Sequence, residues 1–332
     1  MMSLVQTLVK TASLVHPRSG LKSMLRRIRY CARGLAFARC SKKWFNLLYQ
    51  PELAIVARHH PYIYCKLQRP YLNRMLNTRQ RLEILEQHYH FVATRLSKFV
   101  REGVYAAPGF HLATIPLKEV GNIGVGLNYG RHEKEGDLLI KLANLDSAET
   151  LFEMSFCISR FDAQYSEAFI GGLQGNRSAN DKEFIISITR AMYGLRPKAL
   201  LVFALQQLAD HWGIARIRAV SDDMHIYQHP HKRKVSATNY DAFWLECGGR
   251  IGLDGMFDLP VAFVPRKIST IKVNKRQMYR RRHVLLAEIA DQISFNLTGP
   301  HPVRHTSGVE IEGRGMETPK SGHYENVGGA LI

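Results

Sequence analysis

The sequence predicts an α+β protein in which a mixed, mainly antiparallel sheet is flanked by helices and preceded by a basic helical region. Three observations support this class. Among the charged residues of the first third of the chain, Lys and Arg far outnumber Asp and Glu. Apolar stretches separated by short turns follow from about Phe110, and a long helical pattern then leads into another short strand. Because 45% of the 332 residues are hydrophobic, the chain can form a large core.

The N-terminal third carries almost all of the net charge. Residues 1–102 hold 19 Lys and Arg but only 4 Glu, whereas residues 103–332 hold 27 Lys and Arg and 24 Asp and Glu. We therefore expect residues 1–102 to bind an anionic partner, either an anionic membrane surface or RNA. The predicted division is a basic, mainly helical region at 1–102, an acetyltransferase-like α+β domain at 103–297 and a disordered tail at 298–332.

Residues 21–39 have the pattern of a basic amphipathic helix. The apolar residues with helical spacing are Leu21, Leu25, Ile28, Ala32 and Leu35. Such a helix packs on the protein body, docks on a membrane surface or contacts RNA, and the pattern leaves all three open. A second helical pattern covers residues 76–102.

Residues 59–74, HHPYIYCKLQRPYLNR, alternate aromatic and basic residues between prolines. We call this segment the strap. It could clamp an anionic ligand, but the pattern favours a structural role in which its tyrosines pack on the protein body.

Six strands are predicted from the apolar stretches and turn residues. They are 111–117, 123–128, 137–144, 151–160, 167–174 and 183–190. A helix then runs from Pro197 to a left-handed cap at Gly213, and a strand follows from Ile214 to Val220. The order strand, helix, strand at 183–220 implies a right-handed crossover and a parallel pair. A last helix is expected at 274–297.

The turn before the Pro197 helix is a candidate phosphate site. Helix N-termini present unpaired N–H groups, and Arg196 and Lys198 add positive charge. Gly194 is the one glycine in this turn, so the motif is neither a P-loop nor a dinucleotide fingerprint. The alternative is an ordinary connection.

The second candidate is AVSDDMHIYQHPHKRK, residues 219–234. Carboxylates and histidines directly after a central strand lie where α/β folds bind ligands, so Asp222, Asp223 and His225 are candidate catalytic acids or bases, with Tyr227 as a further candidate. A metal is not expected, because His229 and His231 lack a ligand spacing such as HExxH. The competing interpretation is a solvated loop.

Other motifs are missing from the sequence. The five cysteines form no CxxC pair, no apolar run approaches the roughly 18–20 residues of a membrane span, and no secretory signal is evident. We expect a cytoplasmic protein, peripheral at the inner membrane if its basic region docks there.

The order of the elements resembles the GCN5-related N-acetyltransferase fold. The turn 193–198, the strand 214–220 and YDAFWLECGGRI at 240–251 carry this resemblance. It implies that Tyr193, Gly194, Arg196 and Lys198 hold the pyrophosphate of an acyl-CoA, next to an acyl-transfer site. The family turn usually carries two glycines, and this one has a single glycine and a proline.

A set of longer segments resembles the bacterial VirK/YbjX family. They include HPYIYCKLQRPYLNR, GDLLIKLANLDSAETLFEMSFCI and GGLQGNRSANDKEFIISITRAMYGLRPKALLVFALQQLADHWGI. The resemblance implies a Gram-negative, virulence-associated cytoplasmic protein with an envelope-related role, linked to tolerance of cationic antimicrobial peptides. It fixes no reaction. An acyl-CoA-dependent acyltransferase is the leading hypothesis, and a non-enzymatic RNA-binding, post-transcriptional regulator of virulence-factor expression is the alternative.

Overall fold

A computed structural model describes residues 2–160, 162, 164–175, 182–227 and 239–299. The expected disordered tail from Pro300 and the loop with His229 and His231 lie outside these residues. The α-helices are α1 Leu4–Val15, α2 Leu21–Ala36, α3 Ala38–Leu48, α4 Ala54–His59, α5 Thr78–Arg95, α6 Lys98–Tyr105, α7 Lys182–Ala191, α8 Pro197–Trp212, α9 Tyr240–Glu246 and α10 Val273–Thr298.

Eight strands in the described residues form one sheet in the order β1-β2-β3-β4-β5-β6-β8-β7. Their bounds are β1 Phe110–Leu117, β2 Gly121–Tyr129, β3 Leu138–Asn144, β4 Glu149–Arg160, β5 Ser166–Gly175, β6 Ile214–Ala219, β7 Arg250–Ile251 and β8 Phe257–Leu259. Only the described pair β5–β6 is parallel. The expected class, a mixed and mainly antiparallel sheet with a helical N-terminal region, is confirmed.

The segment 183–190 is not a strand, and this prediction was wrong. It lies within α7, because Phe184, Ile188 and Met192 recur every four residues and the last two are fully buried. The β-branched residues between them suggest a strand locally, but packing of the helical stripe decides the conformation. The parallel partner of β6 is therefore β5, and the chain crosses over through α7 and α8.

The helix α8 ends as expected, with Gly213 in the left-handed region (φ 66°, ψ 38°). The predicted helix at 76–102 is divided between α5 and α6. Leu96 leaves the helical conformation, and the Ser97 hydroxyl accepts a hydrogen bond from the Val100 N–H to begin α6.

One continuous core joins the N-terminal helices to the sheet. It includes Trp44 of α3, Tyr89 of α5 and Phe156 of β4, all buried. Helices α5 and α6 pack on β4 and β2, while α8 and α10 pack on β3, β4 and β1. Residues 1–299 form a compact unit, and the division near residue 102, where helices give way to strands, stays a prediction.

The outer edge of β1 is covered by side chains of α10. The Gln292 amide accepts from the Thr114 N–H at 2.9 Å and donates to the Thr114 carbonyl oxygen at 3.1 Å. Asn296 donates to the Leu112 carbonyl oxygen at 2.9 Å. These amides occupy backbone groups that a further strand would otherwise pair with.

Candidate functional site

A cavity of about 650 Å³ opens at the N-terminus of α8. We call it the α8 cavity. Its walls come from β4, α7, α8 and α9, and apolar side chains such as Phe152, Ile185 and Phe243 supply much of them. Arg190, Arg196 and Lys198 add positive charge. A cavity of this size and composition can hold a drug-sized ligand that has both apolar and anionic parts.

The four residues of the predicted cofactor turn do not all face the same part of the protein. Tyr193 and Gly194 both have left-handed backbone angles (φ 54° and 77°) and face α10. The Arg282 guanidinium donates to the Tyr193 carbonyl oxygen at 2.6 and 2.9 Å, and a Cβ atom on Gly194 would approach that guanidinium at 2.7 Å. These two residues hold the turn against α10.

Arg196 and Lys198, in contrast, line the α8 cavity. Arg196 is the residue before the first turn of α8, and no side-chain cap is seen there in the described residues. It forms an ion pair with Glu246 of α9. Burial, and next the neighbouring Arg196 charge, lower the pKa of Lys198. An incompletely solvated ammonium beside an uncapped helix N-terminus favours an anion.

Pairing between the two parallel strands ends where β6 ends. Pairing reaches Ile170 and Ala219, and the Val220 N–H still donates to the Ile170 carbonyl oxygen at 2.9 Å. Strand β5 continues to Gly175, beyond the end of β6 at Ala219. Beyond Ile170, the described part of β5 has no parallel strand partner.

Tyr240 of α9 contacts the part of β5 that extends beyond β6. Its hydroxyl accepts from the Leu173 N–H at 3.2 Å and donates to the Leu173 carbonyl oxygen at 3.1 Å. Trp244, one turn later, donates from its indole N–H to the Val220 carbonyl oxygen at 2.9 Å. Side chains of α9 therefore satisfy backbone groups that strand pairing leaves free.

The three predicted catalytic residues point to different surroundings. Asp222 ties β6 to α9: it accepts from the Tyr240 N–H at 3.0 Å, and its own N–H donates to Asp241 at 2.8 Å. Asp223 is largely exposed and lies 3.3 Å from Arg74. His225 is buried. The structure does not bring the three side chains together as one catalytic group.

His225 lies against a buried carboxylate that was not predicted from the sequence. Its Nε2 atom is 3.4 Å from Oε1 of Glu135, which is fully buried, and its ring stacks on Tyr240 at 5.1 Å. The Gln174 amide donates to both Glu135 oxygens at 2.9 and 2.8 Å. Glu135 fits here because Gly172 has no side chain, since a Cβ atom there would collide with the carboxylate.

A second buried polar cluster joins the strap to the sheet. Lys66 Nζ lies 2.6 Å from Oδ1 of Asp137, and the Tyr71 and Tyr89 hydroxyls donate to the same carboxylate. Burial alone would raise the pKa of Asp137, but Lys66 and then His88 lower it below its ordinary value. Burial and the Asp137 charge raise the pKa of both tyrosines.

The predicted structural role of the strap is confirmed by this cluster and by the burial of Tyr64 and Tyr71. Its alternation of aromatic and basic residues was the one signal that could have pointed to Lys66. Nothing near Asp137 in the sequence marks it as the partner.

Metal ligands do not cluster in the described part of the chain: no group of three or more His, Cys, Asp or Glu side chains there could hold an ion. Within the same residues, no helix is long and apolar enough to cross a membrane.

Together, the fold and the site define an α+β protein with a parallel strand pair in a mainly antiparallel sheet and a ligand-sized cavity at a helix N-terminus. The chain belongs to the family described as "Protein of unknown function (DUF535)", whose model matches residues 19–294. It is 31% identical to the uncharacterized protein YbjX of Escherichia coli K12 over 279 residues, or 82% of this chain and 84% of that protein. The resemblance to the VirK/YbjX family is thereby confirmed.

More distant relatives are found in Haemophilus influenzae. Two uncharacterized proteins of that organism are 26% identical to this chain, over 54% and 49% of its length and over 59% and 53% of theirs. No solved structure matches the chain.

Proposed function

We propose that this protein binds an acyl-CoA in the α8 cavity and acts as an acyltransferase. The observation that carries the proposal is the position of Arg196 and Lys198, at the uncapped N-terminus of a 16-residue helix and beside an apolar cavity. A pyrophosphate is stabilised by N–H groups and cations at a helix N-terminus. The pantetheine arm and acyl chain are apolar enough to pack against Phe152 and Phe243.

In this proposal, the second half of the turn 193–198 binds the pyrophosphate. Tyr193 and Gly194 act indirectly, by holding the turn against Arg282, while Arg196 and Lys198 contact the ligand. Arg196 is already paired with Glu246, so a bound pyrophosphate competes with that carboxylate for the guanidinium. Because Lys198 loses solvation through burial, an anionic ligand should restore part of the stabilisation that its charged form lacks.

Among the proposed catalytic residues, the geometry favours His225 as the base. Glu135 lies where it can stabilise an imidazolium, which a proton-accepting histidine must become. Asp222 would act through its anchoring of Tyr240, and Asp223 would contact an acceptor at the surface. In the reaction, the nitrogen or oxygen of an acceptor attacks the thioester carbonyl carbon and loses its proton to His225. The new C–N or C–O bond forms, the C–S bond breaks, and CoA leaves as a thiolate that takes up a proton from the imidazolium or from solvent.

Calorimetry tests the ligand. The chain should bind acetyl-CoA, and Lys198→Ala should weaken binding about tenfold or more, since one charge-assisted hydrogen bond is worth roughly 1.5–3 kcal/mol. Arg281→Ala, which removes an exposed cation of α10, is the matched control and should bind as the unchanged chain does. If no binding is detected at millimolar acetyl-CoA, the proposed acyltransferase function is refuted.

We also propose that the basic N-terminal region binds a phosphate-bearing partner, as the alternative, non-enzymatic function requires. Residues 1–102 carry a formal charge of +15, and no acidic residue occurs before Glu52. The phosphates of lipid headgroups and of RNA share the chemistry that this charge recognises. A lipid partner would agree with the envelope-related role that the VirK/YbjX resemblance implies.

A further inference from the structure

The face of helix α2 that carries most of its apolar residues is exposed, and the opposite face is buried. Its inward side chains are small or polar: Ser23, Tyr30 and Gly34. The Tyr30 hydroxyl lies 2.8 Å from Oγ1 of Thr11 in α1, and Leu8 of α1 packs so closely on Gly34 that a side chain there would collide with it. These contacts fix the rotation of α2 against α1.

The apolar residues of α2 are consequently exposed. Those on its outer face are between 47% and 69% accessible, and they are Leu21, Met24, Leu25, Ile28 and Leu35. Their spacing of three, four or seven residues places these five side chains on one face of α2, where they form one exposed surface. Nothing in the described chain covers this surface, which we call the apolar row. Contiguous exposed aliphatic residues of this kind mark an interaction site.

A row of cations runs beside the apolar row. Lys22, Arg26, Arg29 and Arg33 are spaced by three or four residues, so they share one face of α2, and all are exposed. Arg27 is not part of this row, since its guanidinium donates to the His16 carbonyl oxygen at 2.8 and 3.0 Å. The helix therefore has three faces: one packed on α1, one apolar and exposed, and one cationic.

We infer that the α1–α2 hairpin docks on the surface of a bilayer that contains anionic lipid. The apolar row enters the boundary between headgroups and acyl chains, and the cationic row lies at the level of the phosphates. This inference rests on the proposed phosphate-bearing partner and identifies it as lipid. An RNA partner would use the cations but gives no reason to expose five aliphatic or Met side chains, because RNA-binding surfaces stack bases on aromatic rings.

Flotation of the full chain with lipid vesicles tests this docking. Binding should be strong to vesicles of 30% phosphatidylglycerol in phosphatidylcholine and weak to pure phosphatidylcholine. Leu25→Gln/Ile28→Gln should reduce partitioning at least about tenfold, because two apolar side chains no longer enter the lipid. Arg29→Gln/Arg33→Gln should reduce it on the anionic vesicles and flatten its salt dependence.

Leu253→Gln/Val264→Gln is the matched control, since it removes two exposed apolar side chains from another part of the surface. It should float as the unchanged chain does. All four proteins should keep their affinity for acetyl-CoA, so failure of docking and failure of the α8 cavity proposal give different results.

Two results would overturn the inference. In the first, the Leu25→Gln/Ile28→Gln variant floats with anionic vesicles as well as the unchanged chain does, while Arg29→Gln/Arg33→Gln loses binding to single-stranded RNA. In the second, sedimentation shows that the unchanged chain is a dimer which Leu25→Gln/Ile28→Gln dissociates, and neither protein binds vesicles.

Discussion

Mild acid should destabilise this protein, and His88 should be a main cause. The ring lies fully buried on α5, next to the Lys66–Asp137 pair, and its Nδ1 atom accepts a hydrogen bond from the Ile158 N–H at 3.1 Å. Burial lowers the pKa of His88 to about 4; Asp137 acts in the opposite direction but does not cancel the effect. The folded protein therefore keeps this imidazole neutral at a pH where an exposed histidine is charged.

The sign and size of the effect follow from proton linkage. As the pH falls through 6.5, the unfolded state protonates His88, but the folded state does not until the pH nears 4. The unfolded state thus binds more protons in this window, and the free energy of unfolding decreases by about 2 kcal/mol between pH 7 and 5, and by about 3 kcal/mol by pH 4. The lowered pKa of Asp137 adds a further loss only at lower pH.

Urea unfolding at pH 7 and pH 5 measures the effect. His88→Gln keeps an oxygen that can accept from the Ile158 N–H but does not titrate, so its stability should fall less between the two pH values. Part of the loss should remain, because burial also lowers the pKa of His16, His60 and His111. His90→Gln, at an exposed position of the same helix, should behave as the unchanged chain. Equal acid sensitivity of all three proteins would refute the reasoning.

Two further substitutions test the buried contacts. Lys66→Met leaves the Asp137 carboxylate buried without its cation and should lower the free energy of unfolding by about 3–5 kcal/mol. Adding Asp137→Asn to this variant should restore part of the lost stability. If the losses measured by urea unfolding are strictly additive, the two side chains are not coupled. Tyr240→Phe leaves both backbone groups of Leu173 unpaired and should cost about 1–3 kcal/mol, with faster amide exchange at Leu173. Unchanged protection of that amide would mean that another group replaces the hydroxyl.

The sequence predicted the meander well because its signals are local. Turn residues such as Gly130 and Asp146 separate apolar stretches, and five of the six predicted strands are present within a few residues. Helix α8 was equally clear, with Pro197 at its start and Gly213 at its end. At 183–190, β-branched residues favoured a strand, and burial of Ile188 on a helical stripe was not visible without the tertiary structure.

The candidate site was predicted in part. Arg196 and Lys198 reach the cavity because their position depends only on where α8 begins. Glu135 and Asp137 were missed, since their partners His225 and Lys66 are far away in sequence and come close only when the sheet and the strap have folded. Local patterns carry no information about such pairs.

The amide side chains of α10 have a consequence for how this protein behaves in a crowded cell. Exposed sheet edges are where one molecule can recruit another into a growing β-polymer. Gln292 and Asn296 close the β1 edge by imitating a neighbouring strand, and at the opposite edge β7 is only two residues long. Both edges of the described sheet are thus protected from pairing with another molecule. Two amide side chains protect one edge, and the short length of the edge strand protects the other.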